Sequence, residues 1–374
     1  MKRYILFMIA VVVGLMTACN KEEGKKVTLT GPKIFLTTAQ AGEVVIQVNY
    51  IPLGQVVAID WGDGSEIESG YSTFKHTYSG TSARTITIAG HYITGLHCAG
   101  NQITNLDVSN INSLEFLDCG DNQLTSLDVS NNTNLGFLHC FDNAISNLDM
   151  SGATALTFLS CGGSITNLDV SKNTNLKYLS CSGQLTNLDV SKNTTLEILY
   201  CSHNQLTFLD VTDLSSLKVL WCDNNQLTNL VLSNNTALIE LDCRSNRLMS
   251  LDVDGKTSLT SLNCSGNQLT NLDVGGANSL VHLNCSDNQL KSLDVSESTE
   301  LVSLNLNSNL FTSHALDDLF STLHSKDTSD PTTGLMFKII DIRNNPGIAD
   351  CDLSIAAQKG WRIIVHDYYQ YKNR

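Results

Sequence analysis

Basic residues are scarce in this chain. Its 374 residues hold 23 Lys and Arg against 37 Asp and Glu, for a formal net charge of -14. No stretch gathers them into the clustered basic surface that a phosphate backbone requires, so nucleic acid is excluded as a partner. Long apolar runs are missing as well: after the first twenty residues none is long enough to cross a bilayer. No glycine-rich loop follows a strand and opens a helix, which removes the usual phosphate cradle. No nucleophile, base and orienting group can be assembled from spacing, so the chain is not expected to be an enzyme or to need a cofactor.

The one apolar run lies at the start, where "MKRYILFMIAVVVGLMTAC" places Lys2 and Arg3 before Ile5 to Met16 and small residues before Cys19. Such a run is too short for a span and suits a signal peptide over 1–18. Its end, "MTAC", resembles a bacterial lipobox, which implies lipidation of Cys19 and a linker over 19–26. Several acyl chains on Cys19 would hold the protein on a membrane where one chain binds only marginally. "NKEE" after the cysteine resembles export signals for the outer face, so the expected location is the outer membrane, exposed at the surface. Loss of Lys2 and Arg3 would take the mature charge from -14 to -16.

Cysteines recur at 98, 119, 140, 161, 181, 201, 222, 243, 264 and 285, with Leu306 in the next place. The step is twenty-one residues, twice shortened to twenty, and a period of this length marks a solenoid. Around each cysteine the frame is L-x-x-L-x-C-x-x-N-x-L-T-x-L-D-V-S, as in Leu114, Leu117, Cys119, Asn122, Leu124, Leu127 and Val129. This frame resembles the leucine-rich repeat family, most closely the bacterial internalin-like group, over residues 93 to about 310. The resemblance implies a right-handed solenoid with one parallel β-sheet, mostly irregular return arms and helices mainly at the ends.

Strand alternation then turns Leu117 and Cys119 inward and Phe116, Asp118 and Gly120 outward. The thiols are expected to be free core groups. Neighbouring parallel strands hold them about 4.8 Å apart with parallel Cα–Cβ vectors, whereas a disulfide needs converging Cβ atoms about 3.8 Å apart. Asparagines three places after the cysteine (Asn101, Asn122, Asn143, then Asn204 through Asn309) are implied by the resemblance to form an inward ladder bonding turn backbone. "CGGSIT" and "CSGQLT" lack that asparagine, and a kink is one expectation there. Aspartates from Asp107 to Asp294 recur too, with Val231 interrupting. Calcium could suit such a column, but the D-V-S turn more simply uses Asp oxygens to accept from local amides.

Both ends depart from the frame. Residues 27–90 alternate as short strands, and "IDWGDGS" with "FKHTYS" resembles the polycystic-kidney-disease-type β-sandwich, with a tight turn over Asp60 to Gly64 and Tyr78 in support. This module is expected to cap the first repeat. At the other end, 311–374 is expected to form α/β repeats and a cap. There Leu316, Leu319, Phe320 and Leu323 have helical spacing behind Ser313 as N-cap, and Ile340, Ile342 and Asn345 repeat the array frame.

The outward positions define the candidate site. Three places before the cysteines stand Phe116, Phe137, Phe158 and Tyr178, then Ile198 and Val219, then polar residues; Tyr200 and Trp221 stand one place before theirs, and Phe141 just after Cys140. Exposed aromatics on consecutive strands point to a contact site. A protein partner, as in adhesion, is the expectation; a glycan on the rings, or a passive envelope scaffold, are the rivals. His97, Asp118 and His139 fall in one outward column and form a candidate zinc triad.

Overall fold

The computed structural model describes residues 27–50, 56–326 and 338–366. The expected signal peptide, Cys19 and the linker to residue 26 lie outside the described residues. Among these residues no helix is long and apolar enough to cross a membrane.

A fifteen-stranded sheet runs the length of the molecule. Its ladder begins at Ile93–His97 and continues in register through Phe116–Asp118, Phe137–His139, Phe158–Gly162 and Tyr178–Ser182. It goes on through Ile198–Tyr200 and Val219–Trp221 to Ser303–Asn305, all in parallel. The outcome is the parallel solenoid that the period implied. Leu117, Leu138, Leu159, Leu179, Leu199 and Leu220 stack in one inward row, and the ten ladder cysteines fill the next, each at most 2 % exposed. The cysteines are free. Burial pushes the Cys181 and Cys264 thiols up to about 12 and raises the others further. They therefore pack as small apolar groups.

The asparagine ladder closes the turn after each strand. Asn225 Nδ2 donates to the carbonyls of Cys201 and Cys222 at 2.9 and 3.1 Å, while its Oδ1 accepts from Leu206 N at 3.0 Å. A buried turn leaves backbone groups that must find partners, and one carboxamide serves two repeats at once. A second buried column went unnoticed in the sequence. Asn132, Asn173, Asn193 and Asn235 bond carbonyls of the preceding return arm, as Asn132 Nδ2 does with Val108 and Ile111 at 3.0 and 2.9 Å. Where the first ladder is missing, the strands lengthen instead: Phe158–Gly162 and Tyr178–Ser182 pair over five residues, adding Cys161 to Cys181 and Gly162 to Ser182. Gly163 makes this approach feasible, since it sits at φ +85° and a Cβ there would meet Asn143 O at 2.4 Å.

The N-terminal residues form β1 (Lys33–Thr38), β2 (Gly42–Tyr50), β3 (Val57–Asp60), β4 (Glu68–Gly70), β5 (Thr73–Tyr78) and β6 (Arg84–Ala89), followed by β7 (Ile93–His97) and β8 (Ile103–Asp107) of the first repeat. They do not stop at residue 90. Strand β2 pairs antiparallel with β7, and β1 with β8, so both sheets run into the array and cover the edge of its first strand. The D-W-G-D-G turn forms as expected: Asp60 Oδ1 accepts from Gly62 N at 2.9 Å, and Tyr78 donates to the Trp61 carbonyl at 2.6 Å.

The C-terminal expectation needs correction. Instead of a run of helical repeats, two short helices are found among the described residues, α1 (Ser313–Thr322) and α2 (Leu353–Gln358). Apolar residues at helical spacing extend over little more than two turns in α1, and Gly360 at φ +82° ends the second stretch. The N-cap of α1 is Thr312 and not Ser313, because the Thr312 hydroxyl accepts from Ala315 N. The frame does continue: Ile340 and Ile342 are fully buried, and Asn345 bonds Leu306 and Ile342 carbonyls at 2.9 Å. Strands Lys338–Asp341 and Trp361–Ile364 close the sheet.

Candidate ligand-binding surface

In-register pairing brings the outward aromatics into direct contact. Phe116, Phe137, Phe158 and Tyr178 stack face to face with centroids 4.2 to 4.3 Å apart and planes within 9°. At Ile198 the column loses its ring, and the contact crosses to the neighbouring outward column: Tyr178 meets Tyr200 edge-on at 5.5 Å and 85°, and Tyr200 stacks on Trp221 at 4.4 Å. Tyr200 is 9 % exposed; the other five are half-buried. The surface is thus one continuous ladder of rings.

One member was missed. His97 adds its ring to Phe116 at 4.3 Å and 34°. Gly95 occupies the position where the Phe116 column would begin, and a Cβ there would strike Asn49 of β2 at 2.8 Å. With no side chain at Gly95, the imidazole two residues on takes the end of the stack. Phe141 stands apart: its ring lies over Gly162, where a Cβ would come within 2.7 Å.

The zinc triad is not assembled. His97 Nδ1 lies 3.7 Å from Asp118 Oδ2, but the His139 imidazole lies over Gly120, and no group of three metal-ligating side chains converges among the described residues. The His97 ring instead lies tilted against Phe116, at the end of the aromatic row. Burial pulls the Asp118 carboxyl upward, yet its bond to His97, the nearby His139 and the Gly120 amide outweigh this and hold it below its ordinary value.

Past Trp221 the surface turns polar. The indole Nε1 donates to Glu240 Oε1 at 3.0 Å. Asp223, 3 % exposed, accepts from the Ser202 hydroxyl and from Asn224 Nδ2, and faces His203 at 3.8 Å and Arg244 at 3.7 Å. Arg244 also approaches Asp242 at 3.7 Å. Burial nevertheless raises the Asp242 carboxyl to about 6.

The aspartate column on the return arms serves the turns. Asp107, Asp128, Asp149, Asp169, Asp189, Asp210, Asp252, Asp273 and Asp294 each accept from the amide two residues on, at 2.8 to 2.9 Å. These bonds, from the Ser or Thr two places on, hold Asp149, Asp169, Asp189 and Asp210 below the usual carboxylate range.

No family model matches the chain, and no curated protein does. Solved structures do. The functional domain of InlJ from Listeria monocytogenes, described as including a cysteine ladder, is 32 % identical with a TM-score of 0.62; the alignment covers 77 % of this chain and 66 % of that one. The chain thus spans about 66 % of the length of that domain. An internalin (inlF) from the same species is 21 % identical, with a TM-score of 0.55 over 73 % of this chain and 87 % of that one. A leucine-rich repeat protein of Leptospira interrogans is 22 % identical, with a TM-score of 0.51 over 72 % and 83 %. The fold is that of a leucine-rich repeat solenoid. Its structural neighbours are bacterial proteins of the internalin type, and like the InlJ domain it carries a cysteine ladder.

Proposed function

We propose that the protein is a surface-anchored binding protein that holds a protein partner on the concave face formed by the outward strand positions of the array, along Phe116, Phe137, Phe158, Tyr178, Tyr200 and Trp221, with Phe141 beside them. Lipidation of Cys19 supplies the anchor in this proposal. The observation that carries it is the unbroken row of rings at outward positions on six consecutive strands, five of them half-buried, in a chain with few aromatics. Packing alone needs no such row, since the core beneath is already complete with leucine and cysteine. Aromatic residues dominate the centres of protein interfaces because they bury large area at low entropic cost.

The stack also bears on the glycan alternative. Sugar rings dock on exposed aromatic faces, and here Phe137 and Phe158 spend both faces on their neighbours and offer edges. Edges and the polar margin at Glu240 and Asp242 suit a protein surface better. The test compares wild-type protein with the Phe137→Ser, Trp221→Ser double variant in pull-downs from host and bacterial surface extracts and on a glycan array. Loss of a specific protein partner in the variant is expected. Retention of that partner, or a wild-type signal confined to glycans, refutes the proposal. Cleavage of Cys19-linked peptides with bound diacylglycerol, read by mass spectrometry, tests the anchor.

A further inference from the structure

The aspartate column has one gap, and the gap has a cavity. At "NLVLS" Val231 stands where the other arms carry aspartate, so the Ser233 amide, which elsewhere would meet a carboxylate two residues back, has no acceptor among the described residues. Beside it opens a cavity of about 190 Å³, lined by Val231, Ser233, Ser250, Asp252 and Lys256.

Lys256 is the second departure at this place. It occupies the position held by Asn132, Asn173, Asn193 and Asn235 in other repeats, and it is only 4 % exposed. Among the described residues its ammonium makes one hydrogen bond, to the Asp254 carbonyl at 3.1 Å. An ammonium carries three donors and is costly to bury without acceptors or a counter-charge. Asp252 lines the same cavity, but its Oδ1 already accepts from Asp254 N at 2.9 Å.

We propose that this cavity is a binding site for a carboxylate group, which takes the place of the aspartate that Val231 displaced. In the intact turns a carboxylate accepts from the amide two residues on, and at Asp107 and Asp210 also from the Ser or Thr hydroxyl there, at 2.7 and 2.6 Å. Ser233 offers the same amide and hydroxyl. Lys256 adds a charge that no other arm has at this position, and it offsets the repulsion from the neighbouring Asp210 and Asp252 columns. The carboxylate can come from a small acid or from an acidic side chain of a peptide. Val231, 45 % exposed, offers apolar surface at the cavity for the latter. The site is on the return arms and is independent of the aromatic ladder.

The test follows the Lys256 Cε–Hε signals of the full chain by NMR during titration with acetate, and with an acetylated, amidated Asp-Leu dipeptide, against chloride at matched ionic strength. Saturable shifts with either acid and not with chloride are expected; the arm that saturates at lower concentration identifies the source. The Lys256 shifts should vanish in Val231→Asp, which supplies the carboxylate in cis, and the Ser233 amide signal, followed in the same titrations, should shift with acid in the wild type and not in Lys256→Met. Val231→Asp should also raise Tm, while an added charge in an already acidic column with no site would lower it. Equal responses to chloride and acetate, or undiminished acid binding in a folded Val231→Asp protein, overturn the proposal.

Discussion

Truncating Asn225 to alanine isolates what the asparagine ladder contributes. The side chain bonds four backbone groups, but they do not lose equally. The Cys201 carbonyl keeps Asn204 Nδ2 at 3.0 Å, and the Cys222 carbonyl keeps Asn246 Nδ2 at 3.0 Å, because each of these two carbonyls is shared by two asparagines. The Asp223 carbonyl contact, at 3.3 Å, is long. The Leu206 amide alone is left with no partner, and Leu206 is fully buried. One orphaned buried donor costs about 1–3 kcal/mol, and half-satisfied carbonyls add a fraction of a bond each, giving a destabilisation of about 2–4 kcal/mol. Asn134 is the control: it is exposed and bonds only the Asn112 carbonyl at 3.0 Å, so its alanine variant should stay within about 0.5 kcal/mol. Urea unfolding gives the two costs, and amide exchange gives the location, with Leu206 N–H losing protection most. Equal midpoints for the two variants, with Leu206 still protected, would refute the shared-ladder account.

Two other perturbations follow from the same geometry. Gly163→Ala should lower stability by about 1–3 kcal/mol, since it combines φ +85° with a clash against Asn143 O, whereas Gly255→Ala, at φ +67° with open space around it, should cost about 1 kcal/mol; thermal melts of the pair check this. Burial raises Asp242 to about 6 from 3.8, so the folded state binds this proton more tightly than the unfolded one. Its unfavourable contribution is full above pH 6 and disappears as pH falls towards 4. The difference in Tm between Asp242→Asn and wild type should therefore shrink between pH 7 and 4.5, and a difference that is constant across that range contradicts the assignment.

The period was legible because a solenoid repeats its environment: the same inward row demands leucine and cysteine every turn, and one turn shows what all require. The Asp-to-amide turns were legible for the same reason, and the Asn225-type ladder through the resemblance to leucine-rich repeats. Contacts between turns were not. Sequence places Phe137 near Phe158, but whether rings lie parallel, and whether the row shifts from Tyr178 to Tyr200, depends on side-chain rotation and on what Ile198 leaves open. His97 joined the stack only because Gly95 leaves the position empty, a condition set by Asn49 more than forty residues earlier. The same rotation removed it from the supposed metal triad. Asn132 and its equivalents were obscured because Ala153, Leu214, Lys256 and Ala277 alternate with them. The extent of helix at the C-terminal end was overread from four apolar residues, and the cap shifted by one because Thr312 and Ser313 are both able to accept from the first turn.

The central claim is that one alternation puts sulfur inside and rings outside. Trp221 is the half-buried tryptophan among the three, since Trp61 and Trp361 are at most 3 % exposed. Native protein is treated with a thiol reagent, labelled cysteines are located peptide by peptide, and acrylamide quenching of tryptophan emission is recorded on the same sample and on Trp221→Phe. The account predicts unlabelled ladder cysteines from Cys98 to Cys285 and quenching that disappears in the variant. Rapid labelling of those cysteines in folded protein, with Trp221 emission untouched by acrylamide, would contradict it.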